Sequence, residues 1–220
     1  MKNNWIYNPK IKDSGIIECI PQKGKIKMKK YQIIYADPPW TYKTKECLCK
    51  TSILNGKINR HYNTMSLNDL KKLNISRIID DDCLLYLWVV SPMLDDCIDL
   101  LKAWGFRYST IGFVWHKQKT NPGHYTMSEC EIVLIGRKGK IPLPRGKRNI
   151  RQFLSEMREK HSAKPNEIRN RIAKMFPTQN KLELFARQKT EGWDCIGNGI
   201  NGKDIRQELE EMISGDKNDY

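Results

Sequence analysis

The sequence predicts an α/β domain, a mostly parallel sheet with helices on both faces, and three observations carry that expectation. Short continuous apolar runs rich in β-branched and aromatic residues recur at 31–36, 83–90, 110–116, 131–137, 181–186 and 193–197, as strands buried on both faces do. Segments with apolar residues at helical spacing alternate with several of these runs. The chain has 220 residues, enough to bury the core of one such domain.

Tyr31–Ala36 (YQIIYA) reads as the first buried strand, and it stops at Asp37-Pro38-Pro39-Trp40. The Lys-rich stretch 41–65 is too long for an ordinary connector and reads as an active-site loop. Ser66, followed by Asp69 three residues on, is the expected N-cap of a helix. The run 83–90 (CLLYLWVV) is the second strand. Pro92 is expected in the first turn of a helix that gathers Met93, Leu94, Cys97, Leu100, Leu101 and Trp104 on one face, with Gly105 as its C′ residue. Strands at 110–116 and 131–137 bracket a loop holding Gly123, His124 and Tyr125. After a basic linker, Pro165 opens a helix through Met175 that Pro177 closes, and strands at 181–186 and 193–197 complete the sheet. The expected organisation is an N-terminal arm (1–30), one domain (31–202) and an acidic helix or tail (203–220).

Lys and Arg total 39 against 25 Asp and Glu, a formal charge of +14. Because the last eighteen residues are acidic, residues 1–202 hold 36 cations and 19 anions. A surplus of that size points to a polyanionic partner, nucleic acid first. No apolar run reaches the length of a membrane span and the first residues carry no signal-peptide core, so no membrane association is expected. Seven cysteines form no framework, which suits a reduced, cytoplasmic compartment. Cys47 and Cys49 with His61 lack the spacing of a structural zinc site, so no metal is expected.

Asp37-Pro38-Pro39-Trp40 is the most informative feature, because ligands of open α/β sheets bind beyond the carboxyl ends of the strands. Pro38 and Pro39 hold the segment extended and donate no N–H, which leaves its carbonyls as expected free acceptors. Asp37 adds an acceptor-only carboxylate and Trp40 a flat face. Two acceptors and an aromatic plane suit an extruded base that carries an amino group. The alternative is a surface turn beside a buried Trp.

Here the sequence resembles a family, the N6-adenine methyltransferases related to the catalytic subunit of the eukaryotic mRNA adenosine methyltransferase. The strand followed by Asp-Pro-Pro-Trp is similar to its catalytic motif. His61-Tyr62-Asn63-Thr64-Met65 resembles its H-Y-x-T-M segment, Leu87-Trp88-Val89 its next strand, and His161-Ser162-Ala163-Lys164-Pro165 its H-S-x-K-P segment. Lys181 to Arg187 (KLELFAR), then Gly192-Trp193 and Gly197-Asn198, resembles K-x-E-L-F-A-R…G-W…G-N. The resemblance implies a Rossmann-like fold using S-adenosyl-L-methionine. It assigns catalysis to Asp37, Pro38, Pro39 and Trp40. Cofactor contacts would be Ala36 and Asp37 through backbone, Lys164, Arg187 and Asn198, with Glu183 nearby. One departure is Gly199, where the family commonly has Glu or Gln, so a side-chain contact to the cofactor is expected to be missing.

Arg137 to Arg151 holds seven cations and no carboxylate. Arg145, Lys147 and Arg148 are therefore expected to track phosphates beside the active site, with Tyr42, His61 and Tyr62 as further nucleic-acid contacts. The expected function is methyl transfer to N6 of adenine in nucleic acid, DNA favoured over RNA, by a monomer or homodimer. Alternatives are an RNA adenine methyltransferase, a catalytically silent nucleic-acid-binding subunit, and transfer to N4 of cytosine.

Overall fold

The computed structural model describes residues 10–11, 17–18, 29–41, 64–89, 91–123, 125–157 and 163–214. The expectations for Tyr42, His61, Tyr62, Cys47, Cys49 and most of the N-terminal arm lie outside these residues. Within the arm, β1 (Lys10–Ile11) and β2 (Ile17–Glu18) pair antiparallel.

The main sheet holds β3 (Tyr31–Ala36), β4 (Ile79–Val89), β5 (Arg107–Asn121), β6 (Ser128–Lys138), β7 (Phe153–Ser155), β8 (Lys181–Leu184) and β9 (Asp194–Ile196). Their spatial order is β7-β5-β6-β4-β3-β8-β9. Pairing is parallel between β3 and β4, β3 and β8, β8 and β9, and β5 and β7, while β6 runs against both β4 and β5. The expected mostly parallel sheet is present, with one reversal. β6 begins only seven positions after β5 ends, and so short a connection makes an antiparallel pair without a crossover.

Among the described residues the helices are α1 (Leu67–Lys71), α2 (Leu94–Ala103), α3 (Asn166–Met175), α4 (Asn198–Asn201) and α5 (Ile205–Ser214). Side chains alternate across the strands, and so divide the core in two. Ile34, Ala36, Leu85 and Leu87 pack with Leu70 of α1, Leu100 and Leu101 of α2, and Ile205 and Leu209 of α5. Ile33, Tyr35, Leu84, Tyr86 and Trp88 pack on the other face with Ile168 and Ile172 of α3, Phe176 and Trp193. The acidic segment after residue 202 therefore begins with a helix seated in the core.

Local signals acted as their chemistry dictates. The Ser66 hydroxyl accepts the Asp69 N–H at 3.1 Å and caps α1. Gly105, at φ +87°, ends α2: its N–H donates to the Lys102 carbonyl and that of Phe106 to the Leu101 carbonyl, a Schellman closure that an L side chain would strain. Pro92 lies not in α2 but in a 3-10 turn before it, Ser91–Met93. β7 is not legible in the sequence, because three residues inside a basic linker show no usable alternation.

Register gathers the strand ends. Ala36 sits opposite Leu87 and Leu184, and Leu184 opposite Ile196. Asp37, Trp88, Phe185 and Gly197 therefore emerge along one edge. β6 runs the other way and enters at this edge, with Glu131 opposite Trp115 of β5. Among the described residues no helix is long and apolar enough to cross a membrane.

Candidate active site

The tetrapeptide is clamped through its backbone. The Pro39 carbonyl accepts the Met65 N–H at 2.7 Å, the Met65 carbonyl accepts the Thr41 N–H at 3.1 Å, and Trp40 bridges Met65 in parallel fashion. The Pro38 carbonyl accepts the Trp40 N–H at 3.0 Å. This corrects the expectation that the carbonyls stand free. Clamping Trp40 and Met65 together uses that of Pro39 and one lone pair of Pro38, whose oxygen retains a second. Trp40 is also corrected. Only 4% exposed, it belongs to the core cluster with Met65 and Leu70, and among the described residues its indole N–H has no hydrogen-bond partner. Its burial anchors the motif to the core.

Asp37 remains open, its side chain 25% exposed at the strand tip. Its Oδ1 lies 3.1 Å from Lys164 Nζ, which comes from the turn before α3 and is 3.3 Å from Glu131 Oε2. The other oxygen of Glu131 is 3.5 Å from Lys117 Nζ, on β5 and almost wholly buried. Two carboxylates and two ammonium groups thus alternate across three strands and a loop. Lys164 Nζ also stands 5.2 Å from the centroid of the Trp88 ring, within cation–π range. The Trp88 indole N–H donates to the Tyr35 hydroxyl at 2.6 Å, and burial raises the pKa of that hydroxyl far above its ordinary value. Tyr35 therefore stays neutral.

Burial pulls the Lys164 pKa down, but Asp37 and Glu131 more than offset it, so it ends above the ordinary 10.5. The sign for a raised lysine is fixed: the pairing is fully present below 10.5 and is lost only as pH rises through the higher folded value. The pH–rate profile is therefore expected to show no limb from Lys164 at neutral or mildly alkaline pH. A descending limb there that vanishes in Lys164→Arg is the contrary result.

Glu183 is buried, and both of its oxygens accept from Arg169 Nη1, at 2.9 and 2.7 Å. Arg169 also donates to Thr190 and Asn166. Burial raises the Glu183 pKa while Arg169 draws it back. In this arrangement Glu183 ties β8 to α3, the helix that Lys164 precedes.

Arg187 and Asn198 are exposed, and the chain folds them together. Phe185 turns the chain at φ +61° after β8, and Gly197 leaves β9 at φ +152°. A Cβ on Gly199 would lie 2.5 Å from the Arg187 Cα. The missing side chain therefore has a steric reason: α4 rests directly on the Arg187 backbone. Gly199→Gln is expected to weaken rather than restore cofactor binding and to lower the Tm, as calorimetry and thermal melts would show. Tighter binding would contradict this packing account.

The part of the basic loop around residues 144–147 is not brought to this edge. The N–H groups of Gly146 and Lys147 donate to the Met175 and Lys174 carbonyls, and Gln179 Nε2 to the Pro144 carbonyl. These partners lie at the far end of α3, a ten-residue helix and hence about 15 Å long. The Arg145 guanidinium sits 5.4 Å from the Phe176 ring centroid. Lys147 and Arg148 are exposed there. The structure thus holds Arg145 and Lys147, with Arg148 next in the chain, beside the C-terminal end of α3 rather than beside Asp37. β6 runs away from the site, so the chain reaches the opposite edge before the basic run begins. Neutralising Lys147 and Arg148 together is expected to leave the salt dependence of nucleic-acid binding nearly unchanged, whereas two lost phosphate contacts would flatten the slope by about two.

Glu131 and Lys117 were missed by sequence reading. The available signal was that each adjoins the end of an expected strand, Glu131 opening 131–137 and Lys117 following 110–116.

Asp37, with Lys164 beside it, stands beyond the carboxyl end of a central parallel strand, where ligands of doubly wound α/β proteins bind. Comparison with known proteins agrees. The MT-A70 family profile matches residues 31–199. The Type II methyltransferase M.MunI of a Mycoplasma species is 43% identical over 207 residues, covering 87% of this chain and 88% of that protein. The human N(6)-adenosine-methyltransferase catalytic subunit METTL3 is 27% identical over 187 residues, 79% of this chain but 29% of that protein. The Arabidopsis thaliana N(6)-adenosine-methyltransferase MT-A70-like protein is 28% identical over 184 residues, 78% and 24% respectively. The chain thus spans about a quarter of these two plant and animal relatives. It belongs to the MT-A70 family and is an S-adenosylmethionine-dependent methyltransferase.

Proposed function

We propose that this chain methylates the N6 amine of adenine in nucleic acid, with DNA as the substrate. The observation that carries the reading is the Asp37 carboxylate, open at the strand tip with one oxygen held by Lys164. DNA is favoured because similarity extends over nearly the whole length of a Type II methyltransferase but only about a quarter of the N(6)-adenosine enzymes.

The residues fit the cofactor. A ligand bearing a carboxylate, an ammonium and a ribose needs mixed polar partners at one edge. Lys164 and Arg187 offer cations, Asn198 an amide, and Ala36 and Asp37 backbone. Among the described residues, two of the three Lys164 donors face Asp37 and Glu131, which leaves one for a ligand. When bound, S-adenosyl-L-methionine supplies an electrophilic methyl group.

The chain's own part is to orient the amine. The lone pair of adenine's amino nitrogen is delocalised into the ring, so the amine is a weak nucleophile. Asp37 Oδ2 and the remaining lone pair of the Pro38 carbonyl accept its two N–H bonds. Both acceptors draw density onto nitrogen and fix the direction of its lone pair, an orientation effect of several kcal/mol. Lys164 holds Asp37 through Oδ1, so the acceptor pair is set before the base arrives. After transfer, the surplus proton leaves the amine to Asp37 or solvent.

Labelled methyl donor offered with single- and double-stranded DNA and RNA, followed by nucleoside identification, tests the proposal. N6-methyladenine in DNA is expected. Nucleic-acid binding with no product on any substrate would instead indicate the silent subunit.

A further inference from the structure

The turn that carries Asn198 is held by a residue beyond the part of the chain that the family profile matches. Glu208 of α5 is 6% exposed. Its Oε2 accepts the Gly197 N–H at 2.7 Å and its Oε1 accepts Asn201 Nδ2 at 2.8 Å. One carboxylate therefore grips both ends of the segment 197–201.

The same segment packs tightly against the chain that follows β8. A Cβ on Gly197 would meet the Ala186 backbone nitrogen at 2.6 Å, and one on Gly199 the Arg187 Cα at 2.5 Å. The Ala186 N–H donates to the Ile196 carbonyl at 2.9 Å. The backbone on either side of Asn198 thus lies against that of Ala186 and Arg187, in the same turn whose ends bond to Glu208. α5 is itself anchored by Ile205 and Leu209 in the core, so the carboxylate is a rigid support. The neighbouring charges Lys203 and Glu211 pair with each other at 2.7 Å, leaving the Glu208 oxygens to the turn.

We propose that Glu208 is a positioning residue for cofactor binding, holding the Gly197–Asn201 turn so that Asn198 and Arg187 meet S-adenosyl-L-methionine. This rests on the cofactor reading above. The segment after residue 202, in sequence an acidic appendage, then belongs to the binding site's support.

Glu208→Gln keeps the size of the side chain but replaces one acceptor oxygen with a donor, so one of the two N–H groups loses its partner. A hydrogen bond to a charged group of this kind corresponds to about a tenfold change or more in an equilibrium. The test measures S-adenosyl-L-methionine affinity by calorimetry, with KM for the cofactor and for DNA separately, in wild type, Glu208→Gln and the same-helix control Glu211→Gln. A Kd and cofactor KM raised about tenfold in Glu208→Gln are expected, with kcat at saturating cofactor and KM for DNA within about twofold of wild type. Glu211→Gln should match wild type. A purely structural role lowers the Tm but leaves the affinity of the folded fraction unchanged, and that result overturns the proposal. Hydrogen exchange of wild type gives a check free of any variant. Added cofactor should slow the 197–201 amides, and unchanged exchange there also overturns it. Failure of wild type to bind the cofactor would instead contradict the function proposed above.

Discussion

Replacing Asp37 by Asn is expected to cut methyl transfer about a thousandfold, the order found when a preorganised electrostatic partner is removed from a reacting group. The amide keeps the shape of the side chain but loses the charge and places an N–H₂ where an acceptor is needed. Folding should survive, because the Asp37 side chain is a quarter exposed and Lys164 retains Glu131 at 3.3 Å. Cofactor affinity should also change little, since the Asp37 contact expected there is made through backbone. The measurement is single-turnover transfer with a thermal melt on the same sample. Retained turnover with an intact fold contradicts the assignment. A variant that melts early would show that Asp37 serves the fold through Lys164 instead.

Lys164→Met carries the second largest effect, a loss of about a hundredfold in kcat/KM for the cofactor. The estimate follows from a charge pair at 3.1 Å in a site of effective dielectric about 20, where attraction amounts to several kcal/mol before desolvation is subtracted. Glu131 keeps Lys117 at 3.5 Å, so the variant does not strand that carboxylate. Asp37 loses its tether and the pocket loses a cation for the ligand's carboxylate, so KM for the cofactor and kcat should both suffer. Lys164→Arg, which restores the charge but not the compact ammonium, should recover only part of the activity. Steady-state kinetics over a range of cofactor concentrations separates the two losses. A wild-type KM in Lys164→Met would remove this residue from the cofactor site.

Much of this site is local in sequence, and that part was readable. A continuous apolar run ending in Asp-Pro-Pro-Trp announces a strand tip, and the prolines fix its extended exit whatever surrounds it. Ser66 with Asp69, and Gly105 after an amphipathic run, act through neighbours within one helical turn. What depends on long-range register was not readable. Glu131 and Lys117 become partners because β5 and β6 form an antiparallel hairpin in which Glu131 faces Trp115. The same reversal explains the displaced basic loop: had β6 run parallel to β4, residues 137–151 would leave the sheet beside Asp37. Trp40 reads as an exposed platform until its bridge to Met65, twenty-five positions on, turns it into the core. Glu208 sits among acidic neighbours that give no hint of which carboxylate is buried, since only packing of Ile205 and Leu209 decides the helix face. Gly199 shows as a departure in the motif, and its reason emerges only when the Arg187 backbone is found against it.

The most direct test is a parallel digest of DNA incubated with S-adenosyl-L-methionine and either wild type or Asp37→Asn, with the modified nucleosides identified by mass spectrometry. N6-methyladenine is expected from wild type and almost none from the variant, while both proteins bind the cofactor equally. Equal product from both proteins, or methyl groups on cytosine alone, would contradict it.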